Sequence, residues 1–212
     1  MPALKQSDRF LASADPDFSA LIARVGPSRL GIDKSREPYQ ALMSAVAHQQ
    51  LHGNAAKAIL GRVIALFPDH AFPPPDLFLA RSDEELRACG LSAAKLLAMR
   101  DIAAKAVSGV VPSRGSAARM ENEALIERLT SLRGVGRWTV EMLLIFTLGR
   151  PDVLPVDDFG VREGYRLLYG LEAQPKPREM TALGEIWAPY RSFAAWYLWR
   201  AADAGKTVKQ PG

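Results

Sequence analysis

The 212-residue chain has one cysteine, Cys89, so an internal disulfide is excluded. No cysteine cluster, HExxH pair or Walker-type glycine loop occurs, and His48, His52 and His70 lack the spacing and partners of a zinc site. No apolar run approaches the ~18 residues of a membrane span, and the opening MPALKQSDRF lacks the apolar centre of a signal peptide. A reducing, cytoplasmic setting is expected, with no membrane partner. Runs of alternating polar and apolar residues are missing too, as are repeats and low-complexity segments, which argues against strand-rich binding folds. Acidic residues are slightly outnumbered: 27 Lys plus Arg against 23 Asp plus Glu gives +4 and a pI near 9.3, compatible with nucleic acid but not diagnostic of it. What is present is 48% hydrophobic and 24% charged residues, the balance of a folded chain. At this length one or two domains can bury ~70% of the unfolded surface without metals or disulfides.

The spacing predicts helices nearly throughout. Phe18, Leu21, Ile22 and Val25 follow helical spacing within Ser13–Gly26, closed by Pro27. Pro38 opens a second helix carrying Leu42, Val46 and Gln49, and Asn54 is placed to cap a third that stops before Pro68. Asp76–Leu79 reads as one helical turn. Ser82 and Glu85 form a capping-box pattern, Ser92 caps a further helix, and residues 110–117 read as a linker. Helices are expected over Glu121–Thr130, Trp138–Leu148, from Asp157 or Asp158 to Leu168, over Arg178–Trp187 and over Arg191–Ala202, before a loose tail.

Two stretches carry chemistry. In LTSLRGVGRWTVEMLLIF (residues 129–146), Gly134-Val135-Gly136 joins two amphipathic segments. Such a turn lets another backbone come close, and amides at the start of the following helix can hold a DNA phosphate. Carbonyls of Thr130, Leu132 and Val135 can cradle a monovalent cation, and Arg133 and Arg137 add positive charge. The alternative is an ordinary tight helix joint with Trp138 in the core. In LPVDDFGVREGYRLL (residues 154–168), two acids open a helix. Asp157 is expected as the cap and Asp158 in the first turn, where the helix dipole favours the ionised form. A carboxylate held this way suits stabilising a cationic substrate or activating water. The alternative is that both acids only cap.

The glycine hairpin, followed 22 residues later by an acid, resembles the helix–hairpin–helix DNA glycosylases, most closely the 3-methyladenine DNA glycosylase II branch. LRGVGRWTVEMLLIF is similar to that family's hairpin, LPVDDFGVREGYRLLYG to its Gly/Pro-rich loop and catalytic helix, AVAHQQLHGNAAKAI to its early DNA-contacting segment and WAPYRSFAAWYLWR to its terminal helix. The four matches occur in the family's order and span roughly residues 10–202.

The resemblance implies an all-α, two-lobed fold with no N-terminal β domain: a central lobe over residues 36–155 containing the hairpin, and a second over 1–35 plus 156–212 carrying the aspartate near the interlobe cleft. It puts the catalytic role on Asp158 and leaves Asp157 as a capping neighbour. It implies hairpin contacts to DNA by Arg133, Gly134, Val135, Gly136 and Arg137. Gln49 is implied as the side chain that fills the gap left by a flipped nucleotide, with Leu51 and His52 beside it. Trp138, Trp199, Tyr39 and Phe18 are implied around the base. Trp138 stands where strand-cleaving relatives carry a lysine, so a monofunctional enzyme without lyase activity is expected. The implied reaction is excision of alkylated purines (3-methyladenine, with 7-methylguanine and related bases) from damaged duplex DNA in base excision repair. No cofactor is required for that chemistry, a structural Na+ or K+ at the hairpin is an option, and a monomer is expected. Two readings stay open beside it: a glycosylase for etheno-adenine or hypoxanthine, and a non-catalytic damage-binding module.

Overall fold

The computed structural model describes residues 4–50 and 53–208, and the side chains of 53 and 206–208 are outside the description. Among the described residues there are helices and turns and no strand. None of the helices is long and apolar enough to cross a membrane. The chain divides into two compact units, residues 1–32 with 149–212, and residues 33–148.

The first unit holds α1 (Gln6–Ala14), α2 (Pro16–Val25), α11 (Phe159–Leu168), α12 (Pro177–Leu183) and α13 (Arg191–Val208), with a 3-10 turn at Gly184–Trp187. Asp15 separates α1 from α2 and caps the latter, accepting N–H bonds from Asp17 and Phe18, while Pro16 takes the first helical position. The helix expected within Ser13–Gly26 is α2, and α1 precedes it as an element that the spacing did not predict. The core combines Leu11, Phe18, Leu21, Ile22, Val161, Met180, Trp187, Tyr197 and Leu198. Phe18 is fully buried, 4.9 Å from the Trp187 ring and edge-on to Tyr197. This corrects its assignment to a base pocket: no face of it reaches solvent.

The second unit holds α3 (Pro38–His48), α4 (Gly53–Ala65), α5 (Pro75–Ala80), α6 (Asp83–Ala88), α7 (Ala93–Val107), α8 (Arg114–Ala117), α9 (Asn122–Thr130) and α10 (Arg137–Leu143). Leu42, Val46, Val63, Phe78, Met99, Ile102, Leu125 and Val140 are buried there. The Ser82–Glu85 capping box forms, and Ser92 caps α7. Asn54 lies inside α4 rather than before it, and the residue 110–117 linker contains α8, capped by Ser113. After Leu143 the helix widens into a π turn over Leu144–Leu148.

The boundaries of the units differ from 36–155 for local reasons. Asp33 donates its N–H to the Phe146 carbonyl (2.8 Å), and the Arg114 guanidinium bonds the carbonyls of Asp33 and Arg36, which ties residues 33–36 into the second unit. At the other end, Asp152 pairs with Arg191 at 2.6 Å and Val153 donates to Ser192 Oγ at 3.0 Å, which holds residues 152–153 on α13.

Candidate active site and nucleic-acid interface

The hairpin joins α9 to α10. Gly134 has φ +75°, a region open to glycine and closed to most side chains, and a Cβ there would lie 3.1 Å from Ala98 Cβ. Three further bonds fix the turn. Arg133 N–H donates to Asp101 Oδ2 (2.8 Å), Val135 N–H to the Leu132 carbonyl (3.2 Å), and the Gln49 amide nitrogen to the Gly134 carbonyl (2.9 Å). Val135 is buried beneath. Gly136 is the N-cap of α10 and supplies no capping side chain, so the positive end of the helix dipole is not covered from within that residue.

The two arginines differ. Arg133 is exposed. Arg137 grips Glu123 with two bonds (2.5 and 3.0 Å) and bonds the buried Glu141 through Nε (3.1 Å). The Glu123 hydrogen bonds and charge raise the Arg137 pKa, and those of Arg137 hold the Glu123 carboxyl below its ordinary range. Two carboxylates thus share the charge of Arg137, whose side chain remains 46% exposed, and its contact with DNA stays an expectation of the resemblance. The signal for the pairing with Glu141 was in the sequence, since Glu141 stands four residues beyond Arg137 on one helix face.

Gln49 closes α3, and its side chain lies on the hairpin. Gln50 follows, exposed and with φ +56°, an uncommon conformation for a residue other than glycine. Leu51 and His52 lie outside the described residues. Tyr39 meets Phe72 edge-on at 5.8 Å, and its hydroxyl is buried without a hydrogen-bond partner. Burial, with the charge of Asp76 adding to it, pushes its pKa well above that of an ordinary tyrosine. Trp138 is 45% exposed on α10 rather than in the core.

In the first unit, Asp158 is itself the N-cap of α11, which corrects the assignment of that role to Asp157. Helix geometry begins at Phe159, so the cap position falls one residue later than the paired acids suggested, and Asp157 is left exposed outside it. Asp158 Oδ1 accepts two N–H bonds, from Val161 and from the Trp199 indole, each 2.8 Å. Two donors on one oxygen fix the carboxylate's rotamer. Phe159, next in the chain, is 65% exposed, an aromatic beside the acid that the sequence reading passed over.

Among the described residues no group of three or more His, Cys, Asp or Glu side chains could hold a metal ion. The carbonyls of Thr130, Leu132 and Val135 are hard oxygen donors of the kind an alkali cation takes. That of Leu132 already accepts one N–H bond and has a second lone pair.

Comparison with known proteins joins these observations. The model of the HhH-GPD superfamily of base excision DNA repair proteins matches residues 43–189, a span containing both the hairpin and the Asp158 cap. The chain belongs to this superfamily. Among its members, DNA-3-methyladenine glycosylase 1 of Schizosaccharomyces pombe is 43% identical over 98% of this chain and 92% of its own length. The solved structure of a 3-methyladenine DNA glycosylase from that yeast, in complex with abasic DNA, has a TM-score of 0.82 and covers 92% of this chain and 96% of that one. A DNA-3-methyladenine glycosidase from Bacillus halodurans has a TM-score of 0.85 at 33% identity, covering 96% of this chain and 92% of that one.

Proposed function

We propose that this chain is a monofunctional DNA glycosylase that removes alkylated purines, 3-methyladenine first and 7-methylguanine and related bases beside it, from duplex DNA in base excision repair. Its place of action is wherever the cell keeps its DNA. The observation that carries the reading is Asp158: a carboxylate at the head of α11, held at one oxygen by Val161 and Trp199, in a chain 43% identical to a 3-methyladenine glycosylase.

The chemistry follows from the substrate. Alkylation at N3 or N7 makes the purine cationic, so it departs with the glycosidic electron pair and needs little acid assistance. The sugar left behind acquires oxocarbenium character. Asp158 stabilises that charge and guides water to the anomeric carbon, the water proton passing to solvent. The reaction adds water across one C–N bond and requires no redox partner. Trp138 offers an aromatic face to a cationic base through its quadrupole. Its indole cannot form a Schiff base as lysine does, so no strand cleavage accompanies base release. Backbone amides at Gly134–Gly136, with Arg133, supply phosphate contacts that set the register on DNA without reading sequence. Where a monovalent cation binds, the carbonyls of Thr130, Leu132 and Val135 would hold it, and it would add positive charge beside a phosphate.

The test is a panel of duplexes carrying 3-methyladenine, 7-methylguanine, etheno-adenine or hypoxanthine, incubated with excess protein. Free bases and strand breaks are measured with and without alkali. Release of the methylated purines, with breaks only after alkali, is expected. Release confined to etheno-adenine or hypoxanthine would reassign the substrate, breaks without alkali would end the monofunctional reading, and binding without release of any base would indicate a damage-binding module.

A further inference from the structure

Gly160 occupies the second position of α11, where glycine is a poorer helix former than alanine. Its φ does not fall in the left-handed region, so the backbone does not demand glycine. Space does. A Cβ built there would lie 2.8 Å from Trp199 Cδ1, 3.3 Å from Trp199 Nε1 and 3.1 Å from Asp158 Oδ1. The first distance is one that real Cβ atoms essentially never show, and the obstacle is a rigid ring rather than the tip of a flexible chain. The atoms crowded are those of the hydrogen bond from the Trp199 indole to Asp158.

One turn on, Gly164 has the same relation to the backbone of α13: a Cβ would lie 2.0 Å from the Leu198 carbonyl oxygen. Gly164 thus lets the two helices approach, and Leu198 immediately precedes Trp199. With α13 that close, the indole lies across the first turn of α11, in the space a side chain at 160 would fill.

We propose that Gly160 is a positioning residue for the reaction: its bare Cα forms the seat on which the Trp199 indole lies, and that seat orients the Asp158 carboxylate toward the reacting sugar. The proposal rests on Asp158 being the catalytic carboxylate. Trp199 and Gly160 act through Asp158 and need not touch the base. A methyl at 160 tilts the indole off its bond and takes away one of the two N–H donors that hold Asp158 Oδ1, loosening the carboxylate, while the DNA-holding hairpin in the other unit is untouched.

The prediction runs opposite in sign to the general rule for helices, where Gly→Ala stabilises without altering chemistry. For Gly160→Ala, single-turnover release of 7-methylguanine from a duplex should fall at least ~10-fold, with affinity for a duplex bearing a tetrahydrofuran abasic analogue within ~2-fold of wild type. Trp199→Phe, which keeps a ring but lacks the N–H, should fall likewise. In a Trp199→Ala background the added Gly160→Ala change should cost far less than in wild type, because the methyl then meets no indole and only the 3.1 Å approach to Asp158 Oδ1 remains. Wild-type release by Gly160→Ala, or its full cost in the Trp199→Ala background, overturns the proposal. Should Gly160→Ala fail to fold by circular dichroism, Trp199→Phe decides, and wild-type release there overturns it. Asp158→Asn separates this proposal from its foundation: an inactive Asp158→Asn beside a fully active Gly160→Ala removes the seat alone, and an active Asp158→Asn removes both.

Discussion

Replacing Gly164 by alanine tests the packing beneath the proposed catalytic aspartate. The new Cβ would lie 2.0 Å from the Leu198 carbonyl oxygen, 2.5 Å from its carbon and 2.9 Å from Leu198 Cα. These are backbone atoms inside α13, so no side-chain rotation relieves them. Reaching ordinary contact near 3.4 Å requires α11 and α13 to separate by about 1.4 Å. Overpacking a close-packed interior costs ~1–3 kcal/mol, and a backbone obstacle puts this case at the upper end. Alanine's better helix propensity offsets up to ~1 kcal/mol. The net loss is about 2 kcal/mol, or roughly 4–8 °C in Tm for a chain of this size. Thermal and urea denaturation of Gly164→Ala against wild type measure it. Gly61→Ala is the control: Gly61 lies within α4 with nothing inside 4 Å of its added Cβ, and it should be neutral or gain up to ~1 kcal/mol. The same 1.4 Å shift would carry Trp199 beyond hydrogen-bonding reach of Asp158, so base release should fall along with Tm. A Gly164→Ala protein that melts with wild type and releases base at the wild-type rate would refute the account of how the two helices meet.

Arg133→Ala should weaken binding to any duplex and flatten the dependence of log K on log salt by about 0.9 for a lost phosphate contact, measured by fluorescence anisotropy across a salt series. Arg137→Ala should change that slope less than Arg133→Ala does and lower stability by ~1–2 kcal/mol, between the exposed and buried ranges for a broken ion pair, because its partners are Glu123 and Glu141. Asp152 has its pKa lowered chiefly by the hydrogen bonds of Arg191, so its pairing stabilises the fold fully above the unfolded carboxyl value near pH ~4 and progressively less as pH falls through the folded value. Acid titration of Tm should therefore be shallower for Asp152→Asn than for wild type below that pH, with the variant already less stable at pH 7.

Features set by neighbours in the chain were legible in the sequence. The Ser82–Glu85 box, the Ser92 cap, the Pro38 start and the glycine turn each depend on a few consecutive residues, and each is present. What escaped depends on distant ones. Helix α1 was missed because its buried face includes Ser7 and Asp8 as well as Leu11, and so lacks an apolar stripe. Asp8 is buried because its carboxylate accepts N–H bonds from Lys5 and from Ser28, twenty residues away. The resemblance implied Phe18 as a pocket wall, whereas its contacts with the rings of Trp187 and Tyr197, from far along the chain, put it in the core. The choice between Asp157 and Asp158 as cap turns on a one-residue difference in helix start. The indole bond to Asp158 spans 41 residues and leaves no local trace beyond two glycines spaced four apart.

Asp158→Asn tests the central claim most directly. Asparagine caps helices about as well as aspartate, so the substitution removes the negative charge while sparing α11. Single-turnover release of 7-methylguanine should fall at least ~100-fold, the scale of losing one preorganised electrostatic contact to the transition state, with abasic-analogue binding and Tm close to wild type. Release at a near-wild-type rate with that binding intact would contradict the assignment of Asp158 as the residue that stabilises the oxocarbenium-like sugar as the base departs.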